Sequence, residues 1–116
     1  MKILILGANG MFAKPLINQL KNCSWEIFGT TRQIRGYQVN KNTDFNLISE
    51  VDFLDLDSVY AAINNVKPDL VINLVGITKY KSNKTSVSEF IQVNSYAPNK
   101  IAEYCALNGI RFIHRE

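Results

Sequence analysis

The sequence predicts an α/β fold, an open parallel sheet of about five strands with helices on both faces. Three observations carry that expectation. Short apolar runs alternate with segments of helical period along the whole chain. The runs at residues 2–6 (KILIL) and 69–73 (DLVIN) lack the in–out alternation of a half-exposed strand, which marks strands covered on both sides. Strands and helices follow one another as β-α-β-loop-β-α-β-α-β, and that order needs parallel strands joined by right-handed crossovers.

Each element can be justified in turn. Residues 2–6 form the first strand. A helix over 11–21 puts Phe12, Leu16, Ile17 and Leu20 on one face, with Pro15 in its early turns, where a proline is tolerated. Residues 25–29 (WEIFG) read as a second strand and 50–53 as a third. A helix over 58–66 carries Val59, Ala62, Ile63 and Val66, with Asp55 or Asp57 as its cap. The strand at 69–73 is entered after Pro68. Residues 86–107 form mostly one long helix, for which Asn108-Gly109 is a C-terminal stop, and 111–114 (RFIH) begin a fifth strand. The polar stretch 33–49 reads as a short helix or a loop.

Bulk properties narrow the class. At 116 residues the chain makes one domain, and 47% hydrophobic against 20% charged residues gives a packed core rather than disorder. A net charge of +3 suits an anionic small molecule and is too weak to argue for nucleic acid. Cys23 and Cys105 form no CxxC pair and have no His at metal-ligand spacing, so the expectation is two buried thiols in a reducing compartment and no metal. The first apolar run is too short for a signal peptide or a membrane span. The expected protein is soluble and cytoplasmic, with neither a nucleic-acid nor a membrane partner.

Chemistry concentrates at the strand ends. Gly7-Ala-Asn9-Gly10-Met11-Phe12-Ala13 has the spacing GxxGxxA between the first strand and the first helix. Gly7 allows a sharp turn, Gly10 lets a pyrophosphate approach the backbone, and Ala13 lets the helix pack closely on the sheet. The helix N-terminus offers N–H groups and a positive dipole end to phosphates. This is the pattern of a Rossmann-type dinucleotide-binding domain. A site preferring NAD places a carboxylate at the end of the second strand. Here that place holds Thr30-Thr31-Arg32, where the arginine fork pairs with a 2′-phosphate and the threonine hydroxyls add hydrogen bonds. The expected cofactor is therefore NADP(H), with NAD(H) second and Arg35 as a further cation. Asp52 is placed to accept from an adenine amino group with Phe53 beside the ring, or alternatively to cap a turn. Asn73-Leu74-Val75-Gly76 closes the fourth strand on the edge where open α/β sheets bind ligands.

Together, KILILGANGMFAKPL, VDFLDLDSV, KPDLVINLVGITK and VNSYAPNKIAEYCALNGIRFIH resemble the N-terminal part of extended short-chain dehydrogenases/reductases. Within these the chain is similar to the dTDP-4-dehydrorhamnose reductase group of sugar-nucleotide reductases. The resemblance implies a pyrophosphate loop at Gly7, Asn9, Gly10, Met11 and Phe12, and 2′-phosphate selection at Arg32. It implies adenine contacts at Asp52 and Phe53, and a ribose–nicotinamide segment at Asn73, Leu74, Val75 and Gly76. Thr78 falls near the nicotinamide end, and Asn94 supports the cofactor and the fourth strand. It further implies a parent enzyme that reduces a keto group on a nucleotide-linked deoxysugar for surface polysaccharide synthesis. The Ser/Thr-rich segment, the catalytic Tyr-x-x-x-Lys and the sugar domain of such enzymes are not in these residues. The lysine-rich stretch 79–86 departs from the acids of the rhamnose-pathway enzymes.

Tyr96-Ala-Pro-Asn-Lys100 spells Y-x-x-x-K but stands one β-unit too early, so Tyr96 is expected to be a partly buried packing residue. His114, at the end of a strand, is expected to be a poor candidate for a general base. The rival reading is a stand-alone, non-catalytic module that senses NADP(H) or binds a partner. In that reading, exposed edges at the fourth or fifth strand favour pairing, for example in a homodimer.

Overall fold

The computed structural model describes residues 1–8, 12–32, 45–76 and 86–114. Five strands make one sheet: β1 (Lys2–Leu6), β2 (Glu26–Thr30), β3 (Asn46–Ile48), β4 (Leu70–Asn73) and β5 (Arg111–His114). Their spatial order is β3-β2-β1-β4-β5 and every pair is parallel. The helices are α1 (Ala13–Leu20), α2 (Leu56–Val66), α3 (Val87–Ile91) and α4 (Ala97–Leu107), with a π-helical turn, Gln92–Tyr96, joining the last two.

The central strand shows why its sequence is apolar throughout. Leu4 and Leu6 point into a core shared with Val59, Ala62, Ile63 and Val66 of α2 and with Ala97, Ile101 and Cys105 of α4. Ile3 and Ile5 point the other way, onto Ala13 and Ile17 of α1. All four β1 side chains are 0% exposed. Burying four such side chains stabilises the fold by very roughly 1.5–3 kcal/mol each. A polar residue at any of them would leave an unpaired group in the core.

Several element ends follow from local chemistry. Pro15 falls in the first turn of α1, where its missing N–H is no loss. On the same helix Phe12 is 45% exposed at the N-cap position, so it does not join Leu16, Ile17 and Leu20 on the packing face as expected. α2 starts at Leu56, two residues before the predicted start. Asp55 holds its N-cap position without a side-chain cap bond, and Asp57 sits in the first turn, where the helix dipole favours a negative charge. Lys67, in the left-handed region at φ 53°, closes α2 just before Pro68. Gly109 (φ 66°) ends α4. Its N–H reaches the Ala106 carbonyl at 3.3 Å, and the Ile110 N–H reaches that of Cys105 at 2.8 Å. These are the paired bonds of a Schellman stop, as Asn108-Gly109 predicts.

The third strand is 46–48, not 50–53. Val51 and Phe53 are buried and so imitate a strand, but Glu50 at φ 63° turns the backbone out of the extended region. β4 lies inside the sheet, paired on both sides, and is not an edge. Cys23 is exposed while Cys105 is buried, because Cys23 follows α1 in a turn outside both cores; both are free thiols. The long helix before β5 is not uniform either. The Ala97 N–H bonds to the Gln92 carbonyl five residues back. Pro98, one residue on, has no N–H to give Asn94, so the helix widens there. Among the described residues, no helix is long and apolar enough to cross a membrane.

Candidate functional site

The sheet order reverses its direction of growth between β1 and β4. From β1 the chain crosses to β2 on one side, and from β4 to β5 on the other. A crevice opens at the carboxyl ends of the strands at such a point, because the connecting segments leave in opposite directions. The residues at that edge are Gly7 and Ala8 after β1, Thr31 and Arg32 after β2, Asp52 beyond β3, residues 74–76 after β4 and His114 ending β5.

The β1 exit is tightly built. Gly7 has φ 88°, and a Cβ added to it would lie 2.9 Å from Val75 Cγ2 and 3.2 Å from Val75 N. Its N–H donates to Thr30 Oγ1 at 3.3 Å, and the Ala8 N–H donates to the Thr30 carbonyl at 2.7 Å. A side chain at Gly7 is thus excluded twice, by backbone conformation and by the β4 exit pressed against it. Asn9, Gly10 and Met11 of the expected pyrophosphate loop lie outside the described residues, as do Arg35 and Thr78. Phe12 and the start of α1 follow the loop.

At the end of β2 the two threonines turn inward. Thr30 and Thr31 are 2% and 3% exposed, and the Thr30 hydroxyl accepts the Gly7 N–H at 3.3 Å. Arg32 is exposed. The side chain presented beyond β2 is therefore a cation, in the place where a carboxylate would select an unphosphorylated ribose.

Asp52 opens the turn into α2. Its Oδ1 accepts the Leu54 N–H at 3.0 Å, its own N–H donates to Ser58 Oγ at 3.0 Å, and its carbonyl accepts the Asp55 N–H at 2.9 Å. Capping a turn, one of the two sequence readings, is part of what it does. Its other carboxylate oxygen has no hydrogen-bond partner among the described residues. The Phe53 ring is 2% exposed and packed in the core, so Phe53 meets the edge through its backbone, whose carbonyl accepts from Gln92 Nε2 at 3.2 Å.

The end of β4 holds the most ordered polar group. Asn73 is 0% exposed; its Oδ1 accepts the Val75 N–H at 2.8 Å and its Nδ2 lies 2.8 Å from His114 Nδ1. The Leu74 N–H donates to the Leu6 carbonyl at 2.9 Å, which ties the β4 exit to β1. Gly76 is exposed, and among the described residues a Cβ there would meet Asn94 Oδ1, at 3.5 Å. The π-helical turn thus brings Asn94 to the β4 exit. Sequence reasoning missed two parts of this edge, the Thr30 hydroxyl under Gly7 and the Asn73–His114 pair. The only sequence signal for either is a polar residue at the end of an otherwise apolar strand.

Tyr96 and Lys100 lie elsewhere. Lys100 Nζ sits 5.8 Å from the centre of the Tyr96 ring and 3.8 Å from Glu103 Oε2. All three lie close enough to Tyr60 of α2 to act on its ionisation. Burial raises the Tyr60 pKa above the usual tyrosine value, with Lys100 opposing. Tyr96 is 49% exposed, more open than the packing residue expected.

An open parallel sheet with helices on both faces and a glycine turn at the switch point defines a Rossmann-type domain. The chain belongs to the RmlD substrate binding domain family, whose model matches residues 1–115. Among solved structures it is similar to the Bordetella bronchiseptica enzyme WbmG in complex with NAD (TM-score 0.79, 20% identity, 98% of this chain and 36% of that one). It is also similar to the Thermus thermophilus UDP-glucose 4-epimerase complex with NAD (0.75, 20%, 95% and 35%). A third is the Bacillus anthracis dTDP-4-dehydrorhamnose reductase in complex with NADP (0.70, 17%, 96% and 34%). The chain spans about a third of the length of each, at 36%, 35% and 34%.

Proposed function

We propose that the chain is the NADP(H)-binding part of an oxidoreductase that reduces a keto group on a nucleotide-linked deoxysugar. The observation that carries the cofactor choice is the exposed Arg32 at the end of β2, with both neighbouring threonines turned inward. A guanidinium there pairs with a 2′-phosphate through two parallel hydrogen bonds, whereas a bare 2′-hydroxyl leaves it without a partner. The residues fit a dinucleotide in other respects. Gly7, with Asn9, Gly10, Met11 and Phe12, would hold the pyrophosphate at the start of α1. Asp52 has a carboxylate oxygen for the adenine amino group, with the Phe53 backbone beside it. Asn73, Leu74, Val75 and Gly76, with Thr78 and Asn94, would line the ribose and nicotinamide end. When bound, the cofactor supplies the hydride, and the chain's residues supply position and electrostatics.

The sugar-nucleotide part of the proposal rests on the family and on the solved structures' own descriptions, which include UDP-glucose and dTDP-4-dehydrorhamnose enzymes. In this reading Tyr96 and Lys100 are not the proton relay, since they face Tyr60 on the outer helices. The test is a fluorescence titration of the chain with NADPH and NADH. Tighter NADPH binding is expected, with the preference lost in Arg32→Ala by a factor of roughly 10–100, the worth of one charge-assisted pair. Equal affinities in the unmodified chain would overturn the NADP(H) choice.

A further inference from the structure

The Asn73 carboxamide is buried and makes two bonds, one of which fixes the meaning of the other. The Val75 backbone N–H can only donate, so the Asn73 atom 2.8 Å from it is the oxygen. The group 2.8 Å from His114 Nδ1 is then the Asn73 amide nitrogen, also a donor. His114 Nδ1 must therefore accept, and the ring proton belongs on Nε2. The imidazole is held for this task by its strand neighbour Phe112, nearly parallel at 11° with ring centroids 6.4 Å apart. The sheet register supports the pairing, since Asn73 and His114 are direct partners across β4 and β5.

We propose that His114 is a positioning residue of the strand-end site. As its neutral Nε2–H tautomer it locks the Asn73 carboxamide in the one orientation that ties down the Val75 N–H, and so fixes the backbone of residues 74–76. A Cβ added to Gly7 would stand 3.2 Å from Val75 N and 3.3 Å from the Leu74 carbonyl carbon, so the lock bears on the width between the β1 and β4 exits. Its effect on ligand affinity rests on the cofactor reading above; its effect on the backbone does not.

The experiment uses isotope-labelled chain at pH ~8, where an ordinary histidine is neutral. Long-range proton–nitrogen correlation should show His114 protonated on Nε2 with Nδ1 accepting. Amide exchange at Val75 should quicken by about fivefold in His114→Ala, the worth of one net hydrogen bond. In His114→Asn the side-chain oxygen stands near the Nδ1 position, and exchange should match the unmodified chain. NADPH affinity should follow the same order. A proton on Nδ1, or unchanged Val75 exchange in His114→Ala with the fold intact by circular dichroism, overturns the proposal. If NADPH binds none of the three proteins, the cofactor reading falls, while the tautomer and the Val75 exchange still decide the role of His114.

Discussion

Replacing Gly7 by alanine tests how closely the β1 and β4 exits are packed. Two penalties act together. Alanine at φ 88° adopts a conformation that costs an L-residue about 1–2 kcal/mol. Its Cβ would also stand 2.9 Å from Val75 Cγ2, 3.2 Å from Val75 N and 3.3 Å from the Leu74 carbonyl carbon. Val75 is β-branched and stiff, and two of the three contacts are backbone, so relief requires moving the β4 exit. Overpacking of this kind costs about 1–3 kcal/mol. The sum is about 2–5 kcal/mol. Gly109→Ala supplies the control, since Gly109 has φ 66° with nothing among the described residues within 4 Å of an added Cβ, and it carries the conformational penalty alone. Urea unfolding of the three proteins reads the difference as a shift in midpoint at constant slope. Gly7→Ala should lose clearly more stability than Gly109→Ala. Equal losses would refute the close packing of the two exits.

The remaining predictions concern the two thiols. Cys23 is exposed and Cys105 is 0% exposed, so a thiol reagent should label one cysteine at once and the second only as the chain unfolds. Prompt double labelling would contradict the placement of Cys105 in the core. Burial pushes the Cys105 thiol from 9.0 up to about 11. The unfolded thiol ionises first as the pH rises, so this contribution to stability is whole below about pH 9 and is lost as the pH climbs towards about 11. Its size is on the order of 2–3 kcal/mol at most. Unfolding followed across that range should therefore show a steeper loss in the unmodified chain than in Cys105→Ala, and parallel curves would argue against a buried thiol.

Much of the fold is legible because each strand and helix carries its burial in its spacing. Residues 2–6, 111–114 and the apolar positions Val59, Ala62, Ile63 and Val66 fall where the pattern puts them. The third strand does not, because Asn46–Ile48 is a short edge strand whose apolar signal is weaker than that of the buried turn residues Val51 and Phe53. The π-helical turn is likewise hidden, although Pro98 gives its cause. Of the site, Gly7, Arg32 and Asn73–Gly76 were legible as positions at strand ends, where ligands of such sheets bind. The inward turn of Thr31, the burial of the Phe53 ring and the pairing of Asn73 with His114, 41 residues apart, depend on packing between segments distant in sequence. No local pattern reports such pairings.

The proposed site would hold NADPH across the carboxyl edge at the β1–β4 switch point. Titrating NADPH into labelled chain and following backbone amide shifts tests it most directly. Saturable shifts are expected to cluster at Gly7, Ala8, Arg32, Asp52 and Leu74 to Gly76, with little change at Tyr60, Tyr96 or Lys100. Shifts centred on the outer faces of α2 and α4, or none at saturating NADPH, would contradict it.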